Sequence, residues 1–203
     1  MEITSDRVKV YNPVQMREGV YYSKIMVDSE ELKLQVPKNK LVLNKEKNKC
    51  SLVISSDETR ELIKQLSSIL IEKTCDSGMD WFGKELTKED CEQIYKEALV
   101  DDTLYCFYDE NTNFYTSKRV EIDPNELEDE INGIALIKCN MVIFTKTSFF
   151  TRWEIPQFKI KEDKKKKDET LLSEYSIKDL EEDDISLEEP KDIVPNFQDI
   201  TLF

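Results

Sequence analysis

The stretch from Ala135 to Ile143 constrains the fold more than any other part of this sequence. Every odd-numbered residue in it is apolar, and the alternate positions include Lys138. A period of two is typical of a β-strand with one buried face and one solvated face. We therefore predict a long strand at residues 134–145, paired as a hairpin with a second strand at residues 149–160.

Further strand patterns lie on both sides of a helical region in the middle of the chain. Residues 55–58 form a capping-box signature that begins one amphipathic helix, and Thr87 begins a second. Residues 109–113 favour a hairpin turn between strands at 104–108 and 114–122. Seven or eight short strands with a helical insertion at about 55–100 predict a mixed, mainly β fold. An OB-fold-like antiparallel β-barrel fits this pattern, and a β-sandwich is the alternative.

The composition changes after Lys161. Of the net charge of −14, residues 168–203 carry −10, from twelve acidic residues and two lysines. Such a charged segment with scattered aliphatic residues cannot bury enough apolar surface to fold alone. We predict one OB-like domain at residues 1–161 and a disordered acidic C-terminal tail at residues 162–203.

Composition also excludes several classes of function. The chain has no histidine, and its five cysteines are widely spaced, which argues against a zinc site and against most acid–base catalysis. Residues 78–84 match a phosphate-binding loop only until Glu85, where Ser or Thr is required. We predict no enzyme activity, no cofactor and no metal. The first residues lack an apolar signal segment and no apolar run could span a membrane, which predicts an intracellular protein of the cytoplasm or nucleus.

Aromatic and cationic residues are interleaved between Tyr105 and Phe158. Single-stranded nucleic acid binding uses this combination, because aromatic faces stack on bases and cations contact phosphates. β-Barrel cores are also rich in aromatic residues, so about half of these side chains are expected in the core. The predicted nucleic-acid-binding residues, including an N-terminal group, are Arg17, Tyr22, Lys24, Tyr115, Lys118, Arg119, Lys138, Lys146, Phe150, Arg152 and Trp153.

The acidic tail with Phe203 as its last residue is a second functional signal. A string of carboxylates can occupy the same cationic groove as a phosphate backbone, and a single aromatic side chain can anchor a contact with a partner. The residues predicted to bind partners are Asp183, Asp184, Glu188, Glu189, Phe197 and Phe203. The alternative is an ordinary disordered terminus.

This layout resembles the single-stranded-DNA-binding proteins of podophage replication systems, which have relatives in large eukaryotic DNA viruses. The resemblance is carried by the N-terminal strand pair, the helical insertion, the long hairpin at 133–161 and the acidic segment with Phe203. It implies an OB barrel whose tail covers the DNA groove, in cis or across a homodimer. The tail would then recruit polymerase or helicase–primase when DNA binds.

Together these observations predict a single-stranded DNA-binding protein that serves DNA replication or recombination as a non-catalytic accessory factor. Single-stranded DNA and replication proteins are the expected partners, a homodimer is considered, and no membrane contact is expected. The alternative is a viral structural or scaffolding protein without nucleic-acid binding. The near-balanced charge of residues 1–167, −4, suits that alternative, since nucleic-acid-binding domains are commonly basic.

Overall fold

The computed structural model describes residues 2–161 of the chain, so the predicted disordered tail lies outside the described residues. Eleven strands and three α-helices are present in that part. The strands are β1 (Val8–Val10), β2 (Val14–Arg17), β3 (Val20–Val27), β4 (Leu32–Asn44), β5 (Lys49–Val53), β6 (Leu99–Val100), β7 (Thr103–Phe107), β8 (Asn113–Tyr115), β9 (Glu121–Ile122), β10 (Glu130–Phe144) and β11 (Phe149–Ile160). The helices are α1 (Asp57–Asp76), α2 (Gly78–Phe82) and α3 (Lys88–Ile94), and short 3-10 turns lie at Ser5–Arg7 and Pro124–Glu126.

Five of the strands close into a barrel. β4 pairs with β5, β5 with β7, β7 with β11, β11 with β10, and β10 with β4. Only the pairing of β7 with β11 is parallel. Numbered in chain order, the ring runs 1-2-3-5-4, the Greek-key arrangement of an OB-fold barrel. The predicted OB-fold-like barrel is therefore confirmed, and the β-sandwich alternative is wrong.

The hairpin of β10 and β11 is the longest in the barrel and confirms the pairing predicted from the alternating pattern. It extends from Gly133 opposite Ile160 to Phe144 opposite Phe149. The register shifts by one residue between Cys139 and Met141, where β10 contains a β-bulge. The bulge moves the inward positions from odd-numbered to even-numbered residues, so the predicted alternation ends there.

The helices connect the second and third strands of the ring, as the predicted insertion requires. Ser56 is the N-cap of α1 and accepts a hydrogen bond from the Thr59 backbone N–H. Thr87 and Asp90 form a complete capping box at the start of α3. The buried face of α1 packs into the same apolar core as the inward residues of the barrel: Leu62, Ile63, Leu66, Ile69 and Leu70.

An N-terminal hairpin is attached to the outside of the ring. β1 and β2 both pair with β3, and β3 joins the barrel through residues 21–24, which pair with β10. The hairpin expected between residues 104–108 and 114–122 is wrong. β7 and β8 instead pair one after the other with the same edge of β11, each parallel to it, because β11 is long enough to pair with both.

Candidate nucleic-acid interface

Three aromatic side chains lie on the outer face of the barrel where β5, β7 and β11 meet. Burial alternates along β7 and leaves Tyr105 and Phe107 half-buried on the outside. The same alternation in β11 buries Phe149 in the core and leaves Phe150 half-buried on the outer face. Partly exposed aromatic rings on adjacent strands form a surface on which planar groups can stack.

These side chains line a groove of about 260 Å³. Its floor is formed by β5 and β7, the second and third strands of the ring, and its rim includes residues 96–98 and the turn before β5. The lining residues are Lys47, Lys49, Cys50, Lys96, Glu97, Ala98, Val100, Tyr105, Cys106, Phe107, Phe150 and Thr151. OB-fold domains bind oligonucleotides and oligosaccharides on this face of the barrel.

The groove carries more positive than negative charge. Lys47, Lys49 and Lys96 line it against a single acidic residue, Glu97, and none of the three lysines forms an ion pair within residues 2–161. The pKa of Lys49 is lowered from its ordinary value, first because partial burial desolvates the ammonium group and second because Lys47 repels it. An anion bound in the groove would offset both effects.

Arg152 and Glu154 form a charged network beside the groove. The Arg152 guanidinium lies over the Phe107 ring, 4.7 Å from its centroid, and its Nε donates to Glu154 Oε1 at 2.9 Å. Lys138 Nζ lies 2.9 Å from the other carboxylate oxygen of Glu154. One carboxylate is therefore shared by two cations, which leaves one positive charge in excess. The guanidinium also covers one face of the Phe107 ring in a cation–π contact.

Two of the predicted stacking residues are in the core, and their assignment is corrected. Trp153 is only 1% exposed, and its indole N–H donates to Thr151 Oγ1 at 3.1 Å. Tyr115 is 3% exposed. Trp153 points into the barrel, whereas Tyr115 is buried on the face of β8 opposite Phe114, and neither ring is accessible for stacking on a base. The position of Trp153 follows from the alternation of β11, in which it takes an inward position two residues after Thr151 and four after Phe149.

Two other predicted residues share the outer face with the groove. Through β10, Tyr22 is in register with Phe150 and Lys24 is in register with Arg152. Lys24 is exposed and Tyr22 is half-buried. The N-terminal hairpin therefore extends the aromatic and cationic surface by two strands beyond β11.

The remaining predicted cations fall into two groups. Arg17 is exposed beside the β2–β3 turn, and Gly19 in that turn lies against the Lys146 side chain: a Cβ atom on Gly19 would be 2.8 Å from Lys146 Cε. These two cations thus lie near the Phe150 end of β11. Lys118 and Arg119 lie between β8 and β9, and β8 pairs with β11 at residues 157–159. That point is roughly 25 Å along the strand from Phe150, so the structure does not bring this pair to the groove.

Sequence reasoning missed five residues of the groove. Tyr105 and Phe107 were included among the interleaved aromatics without an assigned contact, and Lys47, Lys49 and Lys96 were not predicted. Alternation in β7 could have placed the two aromatics on one face. The lysines lie on the turn before β5, on β5 itself and after α3, and only the barrel closure brings them together.

Within residues 2–161, no helix is both long and apolar enough to cross a membrane, and no group of three or more potential metal-ligating side chains is present. All five cysteines are free thiols, and four of them are buried. The predicted partner-binding residues from Asp183 to Phe203 lie outside the described residues.

Comparison with known proteins gave matches to solved structures and to a family model, whereas no curated protein matches the sequence. One similar structure is a single-stranded DNA-binding protein from bacteriophage Enc34 in complex with ssDNA: 9% identity, a TM-score of 0.42, and 76% of this chain and 97% of that chain covered. Another structure of the Enc34 protein has 12% identity and a TM-score of 0.41, and covers 76% of this chain and 90% of that one. The model of a family of unknown function, DUF5871, matches residues 39–179, and the chain belongs to this family.

Proposed function

We propose that this chain binds single-stranded DNA in the groove formed by β5, β7 and β11 and acts in DNA replication or recombination without catalysing a reaction. The observation that carries the proposal is the combination of three half-buried aromatic rings with three lysines that form no ion pair within residues 2–161, on the oligonucleotide-binding face of an OB barrel.

The arrangement of the groove suits a flexible, unpaired strand. Bases stack on Phe107 and Phe150, and each stacked base contributes roughly 1–3 kcal/mol to binding. Lys47, Lys49 and Lys96 contact the phosphates. The aromatic rings recognise any base through its flat face, so binding by this surface has little sequence preference.

The outer face beyond the groove extends the path of the strand. Tyr22, Lys24 and Arg152 lie on that face by strand register, and Arg17 and Lys146 lie at its end. A strand that follows this path contacts the predicted residues of the N-terminal hairpin after it leaves the groove. Lys118 and Arg119 stay a prediction for a separate phosphate contact at the far end of β11.

The acidic segment at residues 168–203 regulates binding in this proposal. Its carboxylates, including Asp183, Asp184, Glu188 and Glu189, compete with phosphates for the groove lysines. Phe197 and Phe203 would dock onto a replication protein such as a polymerase or helicase–primase when DNA displaces the segment.

The direct test is binding of a fluorescein-labelled oligo(dT), followed by fluorescence anisotropy at 50 mM salt. We expect binding by the full chain and tighter binding by a chain that ends at residue 167. A double-stranded oligonucleotide of the same length should bind more weakly, because its bases are not available for stacking. Absence of binding by both chain lengths at low salt would refute the proposal. A salt-independent oligomer without DNA affinity would instead support a structural or scaffolding role.

A further inference from the structure

An exposed apolar surface lies away from the groove, between the N-terminal hairpin and α2. Six of the seven large apolar side chains that are exposed within residues 2–161 lie in the N-terminal hairpin or in α2, and they are 39–54% exposed. They are Tyr11, Val14, Met16, Tyr21, Met79 and Phe82. Single exposed apolar residues are ordinary on a protein surface, whereas a concentration in two neighbouring elements marks an interaction site.

Contacts join the Tyr21 face of the hairpin to α2 in one surface, here called the hairpin patch, which consists of Tyr21, Trp81 and Phe82 around Phe144. Trp81 Nε1 donates to Asn12 Oδ1 at 3.3 Å and so ties α2 to the hairpin. Phe144 lies below, with its ring centroid 5.8 Å from that of Trp81 and 5.4 Å from that of Phe82. Tyr21 pairs directly opposite Phe144. The patch is therefore continuous from α2 to β3.

The hairpin patch borders an open strand edge. β2 pairs with β3 on one side, and within residues 2–161 no strand pairs with its other side. All four residues of β2 are exposed. An open edge offers unpaired backbone N–H and C=O groups to an additional strand, and peptide recognition by strand addition uses this kind of site.

Residues 193–203 have the composition that such a site requires. Six of these eleven residues are large and apolar: Ile193, Val194, Phe197, Ile200, Leu202 and Phe203. In an extended conformation, Phe197 and Phe203 share one face, and Ile200 and Leu202 share the other.

A strand added beside β2 would meet Val14 on one face and, next to Gln15, Tyr21 on the other. Gln15 and Tyr21 lie on the face that leads to Phe144. Val14 and Tyr22 lie on the opposite face. The alternation in residues 197–203 matches this arrangement, because each of its two faces also carries apolar residues.

The length of the intervening chain favours this segment over a second molecule. β11 begins at Phe149, which stacks on Phe144 at 5.6 Å between ring centroids, and its 12 residues span at most about 40 Å. A flexible chain as long as residues 162–196 has a root-mean-square span of roughly 33 Å. The span of this tether is therefore close to the distance from the end of β11 to the hairpin patch. A tether that matches the distance between two sites gives a local concentration near the millimolar range, well above the concentration of separate molecules in solution.

We infer that residues 197–203 bind the hairpin patch of their own chain as a strand added to the open edge of β2. The contact keeps the apolar end of the chain on a surface separate from the groove, whereas the acidic block before it remains near the lysines. A replication partner that binds the same apolar residues would have to displace them from the hairpin patch. The contact does not require that the chain bind DNA.

The test uses hydrogen exchange of the backbone amides of residues 14–17 and acrylamide quenching of Trp81, both without nucleic acid. The chain has two tryptophans, and Trp153 is buried, so the difference from a Trp81→Phe variant isolates the signal of Trp81. In the full chain, we expect the outer-edge amides to exchange about tenfold more slowly than in a chain ending at residue 189. That factor corresponds to about 1.4 kcal/mol of docking free energy. Quenching of Trp81 should increase in the shorter chain and in Phe197→Ala/Phe203→Ala.

The matched control neutralises the acidic block with Glu181→Gln, Glu182→Gln, Asp183→Asn and Asp184→Asn. This variant should retain the protection, because the apolar residues make the contact. Equal exchange and equal quenching in the full and shortened chains would overturn the inference, as would loss of protection in the neutralised variant. Protection that decreases on dilution would also overturn it, since a second copy would then supply the segment.

Discussion

Lys49→Gln tests the electrostatic part of the proposed site most directly. Lys49 lies in register with Phe107 on the floor of the groove, and its pKa is lowered by desolvation and by Lys47. The substitution removes one cation and keeps a polar side chain of similar length. Because Lys49 lies on an outer-face position of β5, the core of the barrel is left unchanged.

The expected magnitude follows from the number of lysines that line the groove. Three phosphate contacts by Lys47, Lys49 and Lys96 predict a slope of log K against log salt of about −2 for a single strand. Loss of Lys49 should make this slope shallower by about 0.7. If the two chains bind equally at 1 M salt, the variant then binds about eightfold more weakly at 50 mM salt and about threefold more weakly at 200 mM. Binding of a phosphate should also return the pKa of Lys49 towards its ordinary value.

The assay is a salt titration of oligo(dT) binding by fluorescence anisotropy, with Lys64→Gln as the matched control. Lys64 is an exposed residue of α1 and does not line the groove. The control should bind like the unmodified chain at every salt concentration. Equal effects of the two substitutions, or a Lys49→Gln effect that does not change with salt, would refute the assignment of Lys49 as a phosphate contact.

Three further predictions concern the stacking surface and the core. Phe107→Ala should weaken DNA binding by about 1–3 kcal/mol without changing the salt slope, measured in the same titration. Gly133→Ala should lower the free energy of unfolding by about 1–3 kcal/mol or more in urea, because its Cβ would lie 2.0 Å from the Lys159 carbonyl oxygen. Burial raises the pKa values of Cys50, Cys106 and Cys139 above their ordinary value. Since the unfolded chain loses these protons first, the free energy of unfolding should fall as the pH rises above about 9, by up to about 1.4 kcal/mol per pH unit for each thiol.

The sequence was most informative where a long regular pattern is buried on one side. The alternation in residues 135–143 identified β10, and its partner β11 followed from the short polar turn between them. The capping signatures at residues 55–58 and at Thr87 identified α1 and α3. These features depend on local chemistry, which the order of residues records directly.

Contacts between distant segments could not be predicted in the same way. The turn at residues 109–113 has the composition of a hairpin turn, but β7 and β8 both pair with β11 and not with each other. No local sequence pattern around the turn indicates that pairing with β11. The groove lysines are a second example, because Lys49 and Lys96 are separated by the three helices. Their proximity arises only when β5 and β7 pair in the barrel.

The two aromatic neighbours in β11 show how much of a site can be inferred from alternation alone. Adjacent residues of a strand face opposite sides, so Phe149 and Phe150 could not share one environment, and the structure places one in the core and the other at the groove. Applied three residues further, the same rule assigns Trp153 to the face of Phe149. The prediction that Trp153 stacks on bases rested on its residue type and not on its position in the strand. A tryptophan whose indole N–H donates to Thr151 is as well suited to a barrel core as to a surface.

The β-bulge in β10 determines which residues of the N-terminal hairpin belong to the outer surface. β3 pairs with β10 only after the bulge, at residues 141–144, and a shift of one residue exchanges the faces of a strand. In the observed register, Tyr22 and Lys24 share the face of Phe150 and Arg152, whereas Tyr21 shares the face of Phe144 and the hairpin patch. One inserted residue in β10 thus sets which face of β3 carries Tyr21 and which carries Tyr22 and Lys24. Because Val14 shares the face of Tyr22, a segment added beside β2 would border the surface proposed for DNA as well as the hairpin patch.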